Sequence, residues 1–406
     1  MRSNSTYDRT TLALALVMVG AGAALTCTLT GGCTNVLERE ADASEVALPV
    51  PPGTLRLGTY NAGLAPGDVE YADERAPELA SAIGDLALDV LCLQEIWRQD
   101  DWTAIAATVK ARFPHAVRLA PDAECAMCSP VELDPLAACA QASCAEFIDG
   151  DLVTCALSEC GAEVAPLGGG CAGCLVGAAT GGRVFREVRD ACAGGGMQGA
   201  PSYLYACGHD TGILSALEIE QSASLVLDSY LVRAAVDHAR VATELGPVDV
   251  FCTHLASNIA EFEYRGEFAD WKGEQRRQID QLLAFVEAKA DPKGITVVLG
   301  DLNNGPGVEA ADIDPQWEDH YQRVLEAGFA NPYAAQDDVA CTSCPDNSLH
   351  GSGTAKLIDH VLVRGFEGPW HAARFLTNEA TIHVDGAPVQ THLSDHHGLA
   401  LTLGSK

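Results

Sequence analysis

Basic side chains are scarce in this 406-residue chain, which has 25 Lys and Arg residues against 56 Asp and Glu residues. The resulting net charge of −31 opposes non-specific attraction to polyanions such as nucleic acid or an anionic membrane. It does not exclude an enzyme that binds phosphate through a metal ion, because an acidic surface is compatible with divalent cations. Apolar residues make up 48% and charged residues 20%, which is typical of a globular protein with one large domain or two ordinary ones.

Histidine is missing from the segment that contains most of the cysteines. Ten of the 16 cysteines lie between Cys125 and Cys207, and the first eight of them follow the spacing x2, x10, x4, x10, x4, x10, x2, a 16-residue repeat with CxxC pairs at both ends. CxxC pairs are common zinc ligands, but eight evenly spaced cysteines exceed the needs of one ion. The favoured interpretation is a disulfide-stapled, cysteine-rich insert over residues 122–207, whose connectivity the sequence leaves open.

The remaining cysteines receive separate predictions. Cys341 and Cys344 are close enough in sequence to pair with each other. Cys92 and Cys252 lie within apolar runs, where a buried free thiol is the favoured interpretation. A chain with this many predicted disulfides is expected in an oxidising compartment.

The N-terminus is typical of an exported protein. Arg2 and Arg9 precede an apolar stretch over 11–30, and "TGGC" follows, ending at Cys33. The ending resembles a bacterial lipoprotein box with Cys33 as the lipidated residue, although Thr30 stands where a bulky aliphatic residue is usual. The prediction is therefore a signal peptide with lipobox over 1–33 and a tether over 34–53. Ordinary cleavage with secretion and a single membrane anchor are the alternatives.

Strand and helix patterns alternate outside the insert. This order predicts an α/β fold, a four-layer sandwich with two mixed β-sheets, over residues 54–403. Strands are predicted at 54–60, 88–94, 212–220, 224–232, 233–243, 248–255, 295–300, 356–363 and 398–403, and helices at 72–87, 99–113 and 271–290.

Polar side chains stand at the ends of six of these strands. The stretch "VVLGDLNNGP" is one example, in which an apolar run meets an acid and two amides. Each such residue could be an ordinary turn residue or cap, but six coincidences favour a shared crevice at the edge of the sheets. The residues concerned are Asn61, Glu95, His254, Asp301 with Asn303, Asp359, and Asp395 with His396.

The short motifs around these residues also carry a family resemblance. "TYNAG", "LQE", "THL", "GDLN", "IDH" and "SDHHG", in that order, resemble the endonuclease/exonuclease/phosphatase superfamily, which has the deoxyribonuclease-I-like fold. The resemblance runs from about residue 54 to 403 and leaves the insert outside it. Within the superfamily, "LQEIWRQDDW", "THL" before a long polar segment, and "LSDHHGLALTL" are most similar to neutral sphingomyelinases.

The resemblance implies a divalent cation, with Mg²⁺ preferred and Mn²⁺ or Ca²⁺ as alternatives. Such an ion offsets the charge that grows on the phosphoryl oxygens and orients the phosphate. Glu95 is the expected direct ligand, since Mg²⁺ prefers oxygen and often uses only one or two carboxylates. Asn61 is expected to support the metal or the phosphate, and Asp395 to add a further metal contact.

The resemblance also implies roles for the remaining residues. Asp301 is expected to orient or deprotonate the attacking water, and Asn303 to donate an amide N–H to a phosphate oxygen. His396 and Asp359 are expected to form a His–carboxylate dyad, in which the carboxylate fixes the tautomer of the imidazole. His254 is expected to hydrogen-bond the phosphate or to protonate the leaving oxygen.

Other histidines adjoin the motifs without belonging to them. His360 and His397 are each next to a motif residue on a strand, so they are predicted to face away from the site. His209 and Asp210 precede "TGILS", where a substrate-facing loop is one interpretation and an ordinary loop is the other.

Three functions remain open at this point. The favoured hypothesis is an exported, metal-dependent phosphodiesterase that acts on a phospholipid such as sphingomyelin, which has no net charge. A secreted nuclease is the second hypothesis, and the shortage of basic residues speaks against it. The third is a surface interaction protein that uses the cysteine-rich insert, and the full set of catalytic residue types speaks against that one.

Overall fold

Two mixed β-sheets form the centre of the protein. The computed structural model describes residues 53–404, except 67, 121–127, 129, 168, 180–182, 194–208, 231–232, 260–263, 265 and 352. The strands are β1 (Thr54–Leu64), β2 (Val90–Ile96), β3 (His115–Val117), β4 (Gly212–Ser215), β5 (Ile219–Val226), β6 (Ala235–Val241), β7 (Val248–His254), β8 (Ile295–Asp301), β9 (Asp359–Arg364), β10 (Trp370–Phe375), β11 (Ala380–Val384), β12 (Ala387–Thr391) and β13 (Gly398–Gly404). The helices are α1 (Ala72–Asp85), α2 (Gln99–Thr108), α3 (Pro130–Ser143), α4 (Asp149–Glu159), α5 (Gly161–Val164), α6 (Gly169–Ala179), α7 (Phe185–Ala193), α8 (Trp271–Lys289) and α9 (Glu318–Glu326), with a short 3₁₀ turn at Glu309–Ala311.

Each large sheet contains one parallel pair of strands among antiparallel neighbours. The first sheet has six strands in the order β10-β13-β1-β2-β4-β3, and β1 and β2 are parallel. The second has five strands in the order β5-β6-β7-β8-β9, and β7 and β8 are parallel. Strands β11 and β12 form a separate hairpin. Since parallel strands end at the same edge, each sheet brings two strand C-termini together.

Apolar side chains divide the protein into four layers. The inner faces of both sheets share one core, which includes Leu57 on β1, Val250 on β7 and Val297 on β8. Helices α1 and α2 cover the outer face of the first sheet. Helices α8 and α9 cover the outer face of the second sheet. The predicted four-layer α/β sandwich with two mixed sheets is confirmed.

The prediction for Cys92 and Cys252 is wrong. The two residues are fully buried and form a disulfide that links β2 in one sheet to β7 in the other. Each cysteine lies in an apolar run because it faces the shared core, and the two runs meet there. The predicted pairing of Cys341 with Cys344 is confirmed.

The cysteine-rich insert is helical and has its own apolar core. Its disulfides Cys128–Cys171, Cys139–Cys160 and Cys144–Cys155 are nested, and Cys174–Cys192 adds a fourth link. An antiparallel helical hairpin brings cysteines together in nested pairs. The cysteine spacing, which reads the same in both directions along the chain, is therefore explained by a hairpin. Cys125 and Cys207 lie outside the described residues.

Apolar packing stabilises the insert together with these disulfides. Leu133, Leu136 and Ala140 of α3 follow helical spacing and are buried with the disulfides. This core continues onto the main domain, where Trp271 at the start of α8 and Tyr264 pack against it.

Two strand predictions also need correction. The run predicted as one strand at 212–220 is divided, since β4 ends at Ser215 and β5 begins at Ile219 in the other sheet. The strand predicted at 224–232 ends at Val226. The predicted signal segment over 1–33 and the tether to residue 52 lie outside the described residues. Among the residues that are described, none of the helices combines the length and apolar character needed to cross a membrane.

Candidate active site

Three neighbouring strands of the second sheet place polar side chains in one row. His254 ends β7, Asp301 ends β8 and Asp359 begins β9, and the register pairs His254 with Asp301 and Asp301 with Asp359. Residues paired in register point to the same face of a sheet. Two positions deeper in the sheet, the same face carries Leu299 and Val361 of the inner core. The inner face therefore changes from apolar to ionisable at this edge.

The first sheet contributes Asn61 and Glu95 at the ends of its parallel strands. Asn61 continues the inner-face alternation of Leu55, Leu57 and Thr59 on β1. Strict alternation after Gln94 would turn Glu95 to the opposite face. Glu95 instead has a left-handed backbone with φ of 53°, a conformation that is uncommon for a residue other than glycine. This break in the strand brings its carboxylate to the site.

Asn61 joins the two sheets through its side-chain amide. Its Nδ2 donates to Glu95 Oε1 at 3.0 Å and to Asp301 Oδ2 at 3.0 Å. Its Oδ1 accepts a hydrogen bond from the backbone N–H of Gly63 at 3.0 Å. Asn61 therefore holds a carboxylate of each sheet at a fixed position. Its predicted contact with a metal or a phosphate stays a prediction.

Asp210 is the site residue that the sequence motifs do not include. Its Oδ2 contacts Nδ1 of His254 and accepts a hydrogen bond from the backbone N–H of Glu95 at 3.3 Å. Asp210 is fully buried. The feature of the sequence that could have identified Asp210 is its position two residues before β4. This strand runs antiparallel to β2, so it begins at the edge of the sheet where β2 ends.

His396 and Asp359 form a second His–carboxylate pair. His396 Nδ1 lies 2.8 Å from Asp359 Oδ2, as the dyad prediction requires. Asp301 lies between the two pairs, with its Oδ2 at 3.8 Å from both His254 Nε2 and His396 Nδ1. The arrangement is a central carboxylate with one imidazole on each side.

Asn303 follows Asp301 in a tight turn. It has φ of 49°, and its backbone N–H donates to Asp301 Oδ1 at 2.8 Å. Its Nδ2 donates to Leu255 O at 2.9 Å and lies 3.0 Å from His254 Nε2. Buried Gln275 of α8 supports the turn by donating to Asn303 O at 3.2 Å. The predicted amide contact of Asn303 with phosphate stays a prediction.

Asp395 lies at the margin of this cluster. Its Oδ1 accepts a hydrogen bond from Ser394 Oγ at 3.2 Å. A Cβ on Gly63, whose φ is 53°, would come within 2.5 Å of the same oxygen, so the close approach requires glycine. Its predicted metal contact stays a prediction.

Burial and neighbouring charges shift the pKa values of the cluster. Burial raises the pKa of Glu95 to about 7, against the opposing effect of His254. Burial also raises the pKa of Asp301, and nearby Asp359 adds to the shift. Although burial disfavours the imidazolium of His254, the Asp210 carboxylate raises its pKa to about 10. In the same way Asp359 outweighs burial and raises the pKa of His396.

The donor atoms fit a divalent cation. Ligand atoms of Glu95, His254 and Asp301 lie within 4.8 Å of one another, and so do those of Asp301, Asp359 and His396. In the described part of the chain, no Lys or Arg forms an ion pair with Glu95, Asp301 or Asp359. The imidazoles of His254 and His396 offset part of this negative charge, but bringing several carboxylates together in a largely buried site is costly. A bound cation would remove that cost, and oxygen donors are those that Mg²⁺ prefers.

The neighbouring histidines lie outside the cluster, as the alternation of strand side chains predicts. His360 Nε2 approaches Asn304 O at 2.7 Å, and its ring packs near Tyr321 on the outer side. The His397 ring lies 5.5 Å from that of His392. His209 is buried, and burial lowers its pKa to about 4.

We expect Asp210→Asn to lower kcat/KM on a phosphodiester by about 10²-fold or more, because His254 loses the carboxylate that orients it and favours its proton. The measurement is steady-state hydrolysis over a pH range. Asp249→Asn is a matched control. Asp249 is also a buried carboxylate paired with a histidine, His238 at 2.8 Å, but it lies at the opposite end of β7. Equal losses in both variants would assign the effect to stability rather than to His254.

Comparison with known proteins identifies the family of the chain and structures of similar fold. The sequence profile of the Endonuclease/Exonuclease/phosphatase family matches residues 58–396. No curated protein sequence matches the chain at a significant level. Three crystal structures of similar fold are SmcL (14% identity, TM-score 0.54, 87% of this chain and 100% of that chain), sphingomyelinase C from Streptomyces griseocarneus (16%, 0.53, 87% and 100%) and a double mutant of beta toxin from Staphylococcus aureus with bound magnesium ions (13%, 0.50, 87% and 99%). At these identities the likeness shows the fold alone.

Proposed function

Because the chain belongs to the Endonuclease/Exonuclease/phosphatase family, we propose that it is a divalent-metal-dependent phosphodiesterase. The observation that carries the proposal is the cluster in which Asp301 lies 3.8 Å from His254 Nε2 and from His396 Nδ1 while Asn61 ties it to Glu95. Carboxylates that hold a cation beside paired imidazoles match the needs of phosphoester hydrolysis. Members of this family hydrolyse phosphoester bonds.

Glu95 would hold the cation, with Mg²⁺ as the first candidate, at the cluster where its carboxylate meets the other sheet. When bound, the ion would offset negative charge on the phosphoryl oxygens and orient the phosphate. The left-handed backbone of Glu95 and its hydrogen bond from Asn61 fix the carboxylate before substrate arrives. Groups held in advance need no reorganisation during the reaction, which is the basis of their catalytic effect.

The two His–carboxylate pairs and Asp301 would move the protons. Water attacks phosphorus, the new P–O bond forms and the bond to the leaving oxygen breaks. Asp301, between the imidazoles, would orient the water and accept its proton. His254, whose Nδ1 is held by Asp210, would give a proton to the leaving oxygen from Nε2. His396, whose Nδ1 is held by Asp359, would present its other nitrogen to the phosphate.

The favoured substrate is a zwitterionic phospholipid such as sphingomyelin. The net charge of −31 opposes a long polyanion but has little effect on a lipid without net charge. Sphingomyelinase C from Streptomyces griseocarneus, a protein named for its action on sphingomyelin, has a similar fold. A secreted nuclease of the same family is the alternative, which a direct comparison of substrates decides.

The test is the hydrolysis of sphingomyelin, plasmid DNA and a small aryl phosphodiester by purified protein, side by side, with Mg²⁺ and then with EDTA. We expect turnover of sphingomyelin and of the small diester with Mg²⁺ and loss of both with EDTA. Cleavage of DNA in preference to lipid would support the nuclease. Absence of turnover on all three would contradict the enzyme proposal and favour a protein that interacts through its insert.

We also propose that the protein is exported, either as a lipoprotein anchored at Cys33 or in secreted form. The described residues contain six disulfides, and such bonds persist in oxidising compartments. Mass spectrometry of the mature N-terminus would decide between a lipidated Cys33 and another cleavage site.

The described residues on either side of the insert lie beside the site. Arg118, just before it, donates from its guanidinium to Ile96 O at 2.8 Å and to His209 O. Ile96 follows Glu95, and His209 precedes Asp210. The core of the insert also packs on Ile259, in the loop after β7 that follows His254. These contacts support a role for the insert in limiting which substrates reach the crevice.

We expect replacement of residues 122–207 by a Gly/Ser linker to keep hydrolysis of the small diester within about threefold and to change that of sphingomyelin by about tenfold or more. The reason is that a wall at the rim contacts only a large substrate, and tenfold is about 1.4 kcal/mol of lost or gained contact. The measurement is kcat/KM on both substrates.

A second variant provides the control for this deletion. Removing the insert exposes the aromatic side chains of Trp271 and Tyr264, which pack against its core. The control combines the same linker with Trp271→Gln. It separates the effect of the exposed aromatic surface from the effect of losing the insert itself. If a folded deletion retains wild-type rates on both substrates, the insert has no role in substrate selection.

A further inference from the structure

The Cys92–Cys252 disulfide lies directly beneath the site. Cys92 precedes Glu95 by three positions on β2, and Cys252 precedes His254 by two on β7. Both cysteines are fully buried in the core between the sheets. Among the disulfides that the described residues form, this is the one that joins the two large sheets.

The sulfur atoms also contact the neighbouring strands across the interface. Cys92 Sγ lies 3.4 Å from Leu299 O on β8, two residues before Asp301. Cys252 Sγ lies 3.5 Å from Gly212 O on β4, two residues after Asp210. The disulfide thus touches the four strands that position Glu95, Asp210, His254 and Asp301.

The site depends on the relative position of the two sheets. Its contacts cross between them, since Asn61 of the first sheet donates to Asp301 of the second, and Asp210 of the first holds His254 of the second. Most of the remaining interface between the sheets is an apolar core, and apolar contact is non-directional. A small slide of one sheet over the other would leave the core packed but would separate Glu95 from Asp301.

We propose that the Cys92–Cys252 disulfide is a positioning element that fixes the two halves of the active site relative to each other. The first half contains Glu95 and Asp210, and the second contains His254 and Asp301. The proposal rests on the proposed phosphodiesterase function for one of its readouts, and its second readout is independent of turnover.

The principal variant is Cys92→Ala/Cys252→Val, which removes the link and keeps much of the buried volume. Two controls accompany it. Val250→Ala lowers stability in the same core and on the same strand, two residues before Cys252. Cys139→Ser/Cys160→Ser removes a disulfide within the insert. All are assayed on the small aryl phosphodiester at a temperature well below the Tm of every variant.

We expect the principal variant to lose about 10- to 100-fold in kcat/KM, because a misplacement of reacting groups by about 1 Å has an effect of this size. Hydrogen–deuterium exchange should show faster exchange at the amides of Gly63 and His397, whose hydrogen bonds depend on the alignment of the two sheets. Gly63 N–H donates to Asn61 Oδ1, and the side chain of Asn61 is held by Asp301 of the other sheet. His397 N–H donates to Thr342 O, and Thr342 Oγ1 accepts a hydrogen bond from the N–H of Asp359 in the other sheet. Both controls should stay within about twofold of the wild-type rate and keep slow exchange at these amides.

The proposal is overturned if the principal variant behaves as Val250→Ala does, with a lower Tm but wild-type kcat/KM and exchange. If the variant fails to fold, limited reduction of folded wild-type protein with a phosphine replaces it, and mass spectrometry locates the thiols. Full activity with Cys92 and Cys252 reduced would equally overturn the proposal. If the wild-type protein hydrolyses none of the substrates, the proposed function fails, and the amide exchange rates still decide the positioning role.

Discussion

Glu95→Gln is expected to lower turnover of a phosphodiester by about 10²-fold or more, which is the usual loss when one preorganised electrostatic contact to the transition state is removed. The substitution keeps the shape of the side chain and removes its charge. Glu95 is the carboxylate that the first sheet contributes to the ligand cluster with His254 and Asp301. The measurement is kcat/KM at saturating Mg²⁺, together with the dissociation constant of Mn²⁺ as a direct probe of the metal site.

The controls for Glu95→Gln separate charge from structure. Asn61 donates to Glu95 Oε1, and the amide oxygen of Gln can accept the same hydrogen bond, so the fold of the β2 terminus should persist. An unchanged Tm with weaker Mn²⁺ binding would assign the loss to the metal. Near-wild-type turnover in the presence of EDTA would contradict the metal requirement altogether.

The residue types and their order along the chain predict most of the site. Asn61, His254, Asp301 and Asp359 follow the inner-face alternation of their strands, and strand alternation is a local property that a sequence displays directly. Glu95 is different, since alternation alone would place it on the other face. Its left-handed backbone is fixed by tertiary contacts, among them the hydrogen bond from its N–H to Asp210. Only the motif "LQE" identifies it from the sequence.

The features that the sequence does not predict are contacts between distant segments. Asp210 acquires its role because β4 runs antiparallel to β2, a pairing of two strands that the long insert separates in the sequence. Cys92 and Cys252 are 160 residues apart, and each alone is indistinguishable from a buried thiol. Their pairing depends on how the two sheets are aligned, which is a property of the packed core.

In the insert, by contrast, the spacing of the cysteines is visible in the sequence, but describing it as a simple repeat does not predict which cysteines pair. A 16-residue repeat suggests evenly stacked loops, whereas the palindromic order of the same spacings suits nested pairs in a helical hairpin. The apolar spacing of Leu133, Leu136 and Ala140 is the additional signal for a helix. Disulfides and an apolar core stabilise the insert together, and the two are not alternatives.

The second large effect is expected at the His396–Asp359 pair. His396→Ala should lower kcat/KM by about 10²- to 10⁴-fold, the range for loss of a positioned acid or base. Asp359→Asn should lower it as well, because the imidazole loses the carboxylate 2.8 Å from Nδ1 that holds its orientation and raises its pKa. The double variant should be little worse than His396→Ala alone, since Asp359 acts through the imidazole and residues that act as a unit are non-additive.

The double-mutant cycle has a matched control in His238→Ala. His238 is a buried histidine 2.8 Å from Asp249, on the strand next to β7 and away from the ligand cluster. It should cost stability and leave kcat/KM within about threefold, which would show that losing a buried His–Asp contact is insufficient to remove activity. If the losses from His396→Ala and Asp359→Asn multiply fully, Asp359 has an effect that does not pass through His396. Repulsion between the carboxylates of Asp301 and Asp359 would then be the second way in which Asp359 affects turnover. The charge on Asp359 contributes to the raised pKa of Asp301, which lies 3.8 Å from His396 Nδ1.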